Sequence, residues 1–141
     1  IQQLVAYGIP VMGHLGRTPQ SIHVFGGYGL RGKQQAAAQI LKEDARILEE
    51  AGAFSIVLEK IPSALAEEIT GSIGIPTIGI GAGSGCDGQV LVSHDMLGLY
   101  TKFKPKFVRR YAELGRLMRE AFVNYIDDVK NRQFPGDDES Y

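Results

Sequence analysis

Four short apolar runs, each stopping at glycine or a polar cluster, constrain this chain more than any other feature. They cover residues 9–15, 54–59, 75–81 and 89–92. They end in Gly16-Arg17-Thr18-Pro19, Glu59-Lys60-Ile61-Pro62, Gly81-Ala82-Gly83 and Ser93-His94-Asp95. Runs of this length, bounded by turn residues, read as strands. Between the first two, residues 34–51 carry a helical pattern, with Ala37, Ile40, Leu41, Ile47, Leu48 and Ala51 on one face. Gly52 offers a left-handed stop. A shorter helix is expected from Pro62 to about Ser72 with Ser63 as its N-cap. A long one is expected over 105–130, where Phe107, Tyr111, Leu114, Met118, Phe122, Tyr125 and Val129 recur at intervals of three or four. Strands alternating with helices make βα units and a parallel sheet. Four strands are half of a closed eight-stranded barrel, which takes about 250 residues; this chain has 141.

Glu59 is the residue such a sheet makes conspicuous. It follows Ile56-Val57-Leu58, a partly β-branched run that reads as a strand covered on both faces. A carboxylate is costly beside such a run unless it sits at an open end. In parallel α/β folds the carboxyl ends of the strands form the working face. Side chains alternate along a strand, so Ser55, Val57 and Glu59 share one side. If that side faces a barrel interior, Glu59 looks into its mouth as a candidate general base. The structural alternative is a rim carboxylate paired with Lys60 or an arginine, and position alone gives the two readings even weight.

Composition removes several function classes. Fifteen Lys and Arg against sixteen Asp and Glu give a net charge of −1, which speaks against a nucleic-acid stripe or a polybasic membrane patch. No apolar run approaches the roughly 20 residues of a membrane span. No signal peptide is expected at Ile1, and the abrupt start leaves room for a native terminus further upstream. Cys86 is the single cysteine, so no internal disulfide is possible, and a reducing compartment fits.

The remaining motifs carry less. His14 ends the first strand, where a histidine can bond a substrate oxygen or orient an acid, although a satisfied core histidine is the commoner case. His94-Asp95 reads first as a structural loop pair, and His23 has no distinctive context. Residues 21–32 hold four glycines and form an expected long loop, a class that is usually functional. Gly83-Ser84-Gly85-Cys86-Asp87-Gly88 matches a dinucleotide-binding pattern letter for letter, but a strand follows it instead of a helix. It reads as a tight turn or, at most, an anion-holding loop. No metal-ligand spacing is visible among Cys86, His14, His23 and His94. The acidic, turn-rich tail from Phe134 to Tyr141 is expected to be ordered through a partner.

Taken in order, several stretches resemble the ketopantoate hydroxymethyltransferase family. They are Gly13-His14-Leu15-Gly16-Arg17-Thr18-Pro19-Gln20-Ser21, Phe25-Gly26-Gly27-Tyr28, Val57-Leu58-Glu59-Lys60-Ile61-Pro62, Ile75-Pro76-Thr77-Ile78-Gly79-Ile80-Gly81-Ala82-Gly83, Asp87-Gly88-Gln89, His94-Asp95 and Phe134-Pro135-Gly136. Arg17, His23 and Gly29 stand where the family usually has other residues.

The resemblance implies a fold: the C-terminal half of a single (β/α)8 TIM barrel. Strands five to eight, their flanking helices and a long C-terminal helix would lie in residues 1–141, with the N-terminal half absent from this chain. It also implies an activity, hydroxymethyl transfer from 5,10-methylenetetrahydrofolate to 3-methyl-2-oxobutanoate, giving 2-dehydropantoate in cytoplasmic pantothenate and coenzyme A biosynthesis. Glu59 matches the family's general base, which would deprotonate C3 of the 2-oxo acid, and His14 matches a histidine near the substrate. A magnesium ion would stabilise the enolate, with its ligands in the missing half. The partners implied are the 2-oxo acid, the N-terminal half of the barrel and further copies in a homo-oligomer, with the long helix as an interface. Two other readings compete: a different metal-enolate enzyme of the phosphoenolpyruvate/pyruvate barrel superfamily, or an inactive fragment acting only in assembly.

Overall fold

A computed structural model describes residues 1–17, 32 and 34–141. The glycine-rich loop, apart from Gly32, lies outside the described residues, and so do His23 and the Phe25-Gly26-Gly27-Tyr28 motif. The described elements are α1 (Gln2–Ala6), β1 (Met12–Gly16), α2 (Gln35–Glu50), β2 (Ser55–Glu59), α3 (Ser63–Thr70), β3 (Thr77–Ile80), β4 (Gly88–Gln89), α4 (Ser93–Met96), α5 (Leu114–Lys130) and a 3-10 turn at Asp137–Glu139. The four strands form one parallel sheet in sequence order, β1-β2-β3-β4. This is the α/β arrangement expected of half a barrel. The chain divides into two compact units, residues 1–90 and 91–141, and the sheet lies wholly in the first.

Helices cover one side of that sheet. Ile56 and Leu58 of β2 are fully buried with Ala45 of α2, Leu65, Ala66 and Ile69 of α3, and Ile61 and Ala82. The opposite side of β2, with Val57 and Glu59, is only half-buried, so the strand is not covered equally on both faces. Phe54 stays outside the strand and is exposed. In α2 the buried seam is Ala38, Leu41, Ala45 and Leu48, which keeps the 3-4-3 spacing of one helix face. Ile40 and Ile47 sit one position off it and remain 61% and 53% exposed. The two alanines fit because a small side chain brings the helix close to the sheet. Gly52 has φ +89° and closes the helix as expected.

Several boundaries differ from the sequence reading. The N-cap of α3 is Pro62, without a side-chain cap bond, and Ser63 is the first helical residue. A Cβ at Gly83 would lie 2.4 Å from the Ser63 Cβ, so the glycine loop packs closely on this helix. That loop leads into β4, not into a helix, and its match to a dinucleotide motif is fortuitous. β4 is shorter than 89–92 because Val92 already serves as the N-cap of α4.

α5 begins at Leu114, nine residues later than the periodicity suggests. The amides of Tyr111 and Leu114 donate to the carbonyls of Met96 and Leu97, at 2.8 and 2.9 Å. These bonds replace the i−4 bonds that a helix through 105–113 would need. The tail is tied down within the chain itself. Phe134 packs edge-to-face on Tyr125 with ring centroids 5.4 Å apart, and the Gly136 amide donates to Glu139.

Candidate active site

Register decides which side chains meet. β1 and β2 pair with Met12 opposite Ser55, His14 opposite Val57 and Gly16 opposite Glu59. Opposed residues of parallel strands point to the same face, so His14 and Glu59 share the face turned away from the helices. Val57 and Glu59 are in turn opposite Ile78 and Ile80 of β3. The resulting patch at the carboxyl end of the sheet has an acid, an imidazole and an apolar floor.

Within it, the His14 Nε2 lies 3.1 Å from the Glu59 Oε2. The two side chains are 36% and 25% exposed, so both reach solvent while standing on a rigid sheet. Glu59 thus bonds a histidine 45 residues away in sequence. Spacing gave no signal for it, since only the strand register places the two together.

The main chain around Glu59 is held from both sides. Its carbonyl accepts from the Arg17 amide at 2.9 Å, and the next amide, Lys60 N–H, donates to the Ile80 carbonyl at 2.9 Å. Gly16 has φ +93°, and a Cβ there would stand 2.2 Å from the Glu59 carbonyl oxygen. Only glycine permits that approach. Lys60 itself adopts φ +53°, a left-handed conformation costing a non-glycine residue roughly 1–2 kcal/mol. Strain of this kind gathers at functional sites. Ser55, lower on the same strand side as Glu59, has a buried hydroxyl without a hydrogen-bond partner among the described residues; nothing in the sequence pattern marked it.

Other candidates lie elsewhere. His94 and Asp95 are neighbours on α4, and His94 lines an open groove of about 550 Å³ with Leu99, Met118, Phe122, Val123 and Ile126. That groove contains neither His14 nor Glu59. Asp87 turns to β3: its Oδ2 accepts from the Thr77 amide at 2.8 Å and from the Thr77 hydroxyl at 3.1 Å. These bonds, the amide first, hold its carboxyl below the ordinary value near 3.8. Among the described residues no three His, Cys, Asp or Glu side chains converge on a point where a metal could be held.

Residues 1–137 match the ketopantoate hydroxymethyltransferase family. The chain belongs to that family. Among curated relatives it is 60% identical over all 141 residues to the 3-methyl-2-oxobutanoate hydroxymethyltransferase of Prosthecochloris aestuarii, covering 51% of that protein. It is 57% identical to the proteins of the same name from Caldicellulosiruptor bescii and Syntrophus aciditrophicus, covering 53% and 52% of them. The chain thus spans about half the length of the curated relatives it matches.

Proposed function

We propose that this chain is the C-terminal half of an enzyme that transfers a hydroxymethyl group from 5,10-methylenetetrahydrofolate to 3-methyl-2-oxobutanoate, forming 2-dehydropantoate. Glu59 is its general base. The observation that carries the reading is the placement of Glu59 at the carboxyl end of a parallel strand, on the face away from the helices and bonded to His14 at 3.1 Å. Family membership supplies the substrate class.

The carboxylate would take the proton from C3, which is weakly acidic beside a ketone; the carbanion then bonds the donor's methylene carbon while its two carbon–nitrogen bonds break, water supplies the hydroxyl oxygen, and tetrahydrofolate leaves with the C3 proton and the second water proton on its nitrogens. Val57, Ile78 and Ile80 on the same face suit the branched alkyl end of the substrate, and His14 stands beside it. The magnesium ion implied by the family would have its ligands outside this chain. Residues of the N-terminal half would complete the barrel. Exposed Phe122, Tyr125 and Ile126 on α5 suit a contact between copies in a homo-oligomer. In this reading the enzyme works in pantothenate and coenzyme A biosynthesis, in the cytoplasm.

The test is Glu59→Gln in the complete enzyme, this chain together with the half its relatives carry. Solvent deuterium exchange at C3 of the oxo acid reads proton abstraction alone. General bases contribute on the order of 10²–10⁴-fold, so exchange falls at least a hundredfold. A loss below about tenfold removes Glu59 from the role. Wild-type enzyme that shows neither exchange nor turnover, even with both halves present, leaves assembly as the chain's function.

A further inference from the structure

We infer that His14 is the positioning residue for Glu59: its Nε2–H holds Oε2, so that Oε1 alone is presented to the substrate. This rests on the reading of Glu59 as the base and assigns His14 a task that operates through that base.

The chemistry fixes the direction of the bond. An ionised carboxylate only accepts hydrogen bonds, so the imidazole nitrogen 3.1 Å from Oε2 must carry the proton. The strand register explains why the ring can reach. Directly beside Glu59 on β1 stands Gly16, which has no side chain, and His14 is the next residue back on that face.

The main chain of Glu59 is already fixed by the Arg17 amide before it and the Lys60 amide after it. Side-chain rotation is then the principal freedom left to the carboxylate, and the bond to His14 removes it. A base held in one rotamer meets its proton at the right distance without reorganisation, which is where positioning contributes rate.

The experiment uses the complete enzyme and three variants, each checked for an unchanged unfolding midpoint. His14→Ala is expected to lower C3 exchange and kcat on the order of ten- to a hundredfold, the range for a lost hydrogen bond to a charged group, with KM for the oxo acid little changed. His14→Gln, whose amide nitrogen reaches the position of Nε2, is expected to recover most of that loss. A 15N-edited spectrum of the wild type should find the proton on Nε2 with oxo acid absent.

Two results overturn the inference. One is a His14→Ala enzyme with normal exchange and raised KM, which makes the residue a substrate ligand only. The other is a loss that His14→Gln leaves unrepaired. Glu59→Gln separates the two readings: retained exchange in that variant defeats the base itself. Exchange lost in Glu59→Gln but kept in His14→Ala defeats only the positioning role.

Discussion

Gly16 is the smallest residue at the site and among the least replaceable. It sits opposite Glu59, in a backbone conformation that side chains rarely adopt, with the neighbouring strand's carbonyl where a methyl group would go. Flexible side chains can yield to an added methyl, but a main-chain oxygen in a strand ladder cannot. Gly16→Ala should therefore cost more than about 1 kcal/mol of stability. It should also lower C3 exchange, because the end of β1 must move away from the base. Urea unfolding and the exchange assay on the complete enzyme check this, and an unchanged midpoint would contradict it. At this scale the position of Glu59 at the end of β2 was legible in advance: an acid closing an apolar run is a local pattern with a local electrostatic cost. Its partnership with His14 was not, because the bond spans 45 residues and depends on register. Ser63 offered an ordinary capping residue, yet it lies one position inside α3, where it packs against Gly83.

Between elements, the contact of β3 with the loop before β4 has a clear pH signature. Thr77 is fully buried and bonds both Asp87 and, at 2.8 Å, the Thr70 hydroxyl of α3. Asp87 is held below its ordinary value by the Thr77 amide and hydroxyl, so folding favours the ionised form. The resulting stabilisation is complete above the ordinary value near 3.8 and fades as pH falls through the lower folded value. Asp87→Asn should flatten that part of the stability–pH curve while leaving the curve near neutrality parallel to wild type, as read by unfolding midpoints along a pH series. Thr77→Val, which leaves the Thr70 hydroxyl and Asp87 short of a partner, should cost about 1–3 kcal/mol at neutral pH. The helices were legible as elements and less so as boundaries. In α2 the apolar count pointed to Ile40 and Ile47, whereas close packing on the sheet selected Ala38 and Ala45. In α5 the period continued back to Pro105, but main-chain bonds to Met96 and Leu97 claimed the amides that the first turns required.

For the whole molecule, length is the governing fact: 141 residues span about half of each relative. The sheet ends at β1 and β4, and open parallel edges pair readily with other strands. The face carrying Glu59 is the one turned away from α2 and α3, Met12 on it is exposed, and among the described residues the Ser55 hydroxyl is buried without a partner. These features are what a complementary half would satisfy. Expressed alone, the chain should self-associate in sedimentation analysis; co-expressed with the N-terminal portion of a relative, it should form an equimolar complex with C3 exchange activity. A monodisperse monomer unaffected by that portion would contradict the half-barrel reading. Among the described residues no helix is long and apolar enough to cross a membrane. The sequence by itself determined the alternation of strand and helix, the parallel sheet and the acid at the end of β2. Each follows from periodicity or from the cost of burying charge, both readable along a few neighbouring residues. Only the tertiary structure decided which residue meets that acid, which alanines touch the sheet and where the last helix starts, because each depends on register and on main-chain bonds between segments far apart in the chain.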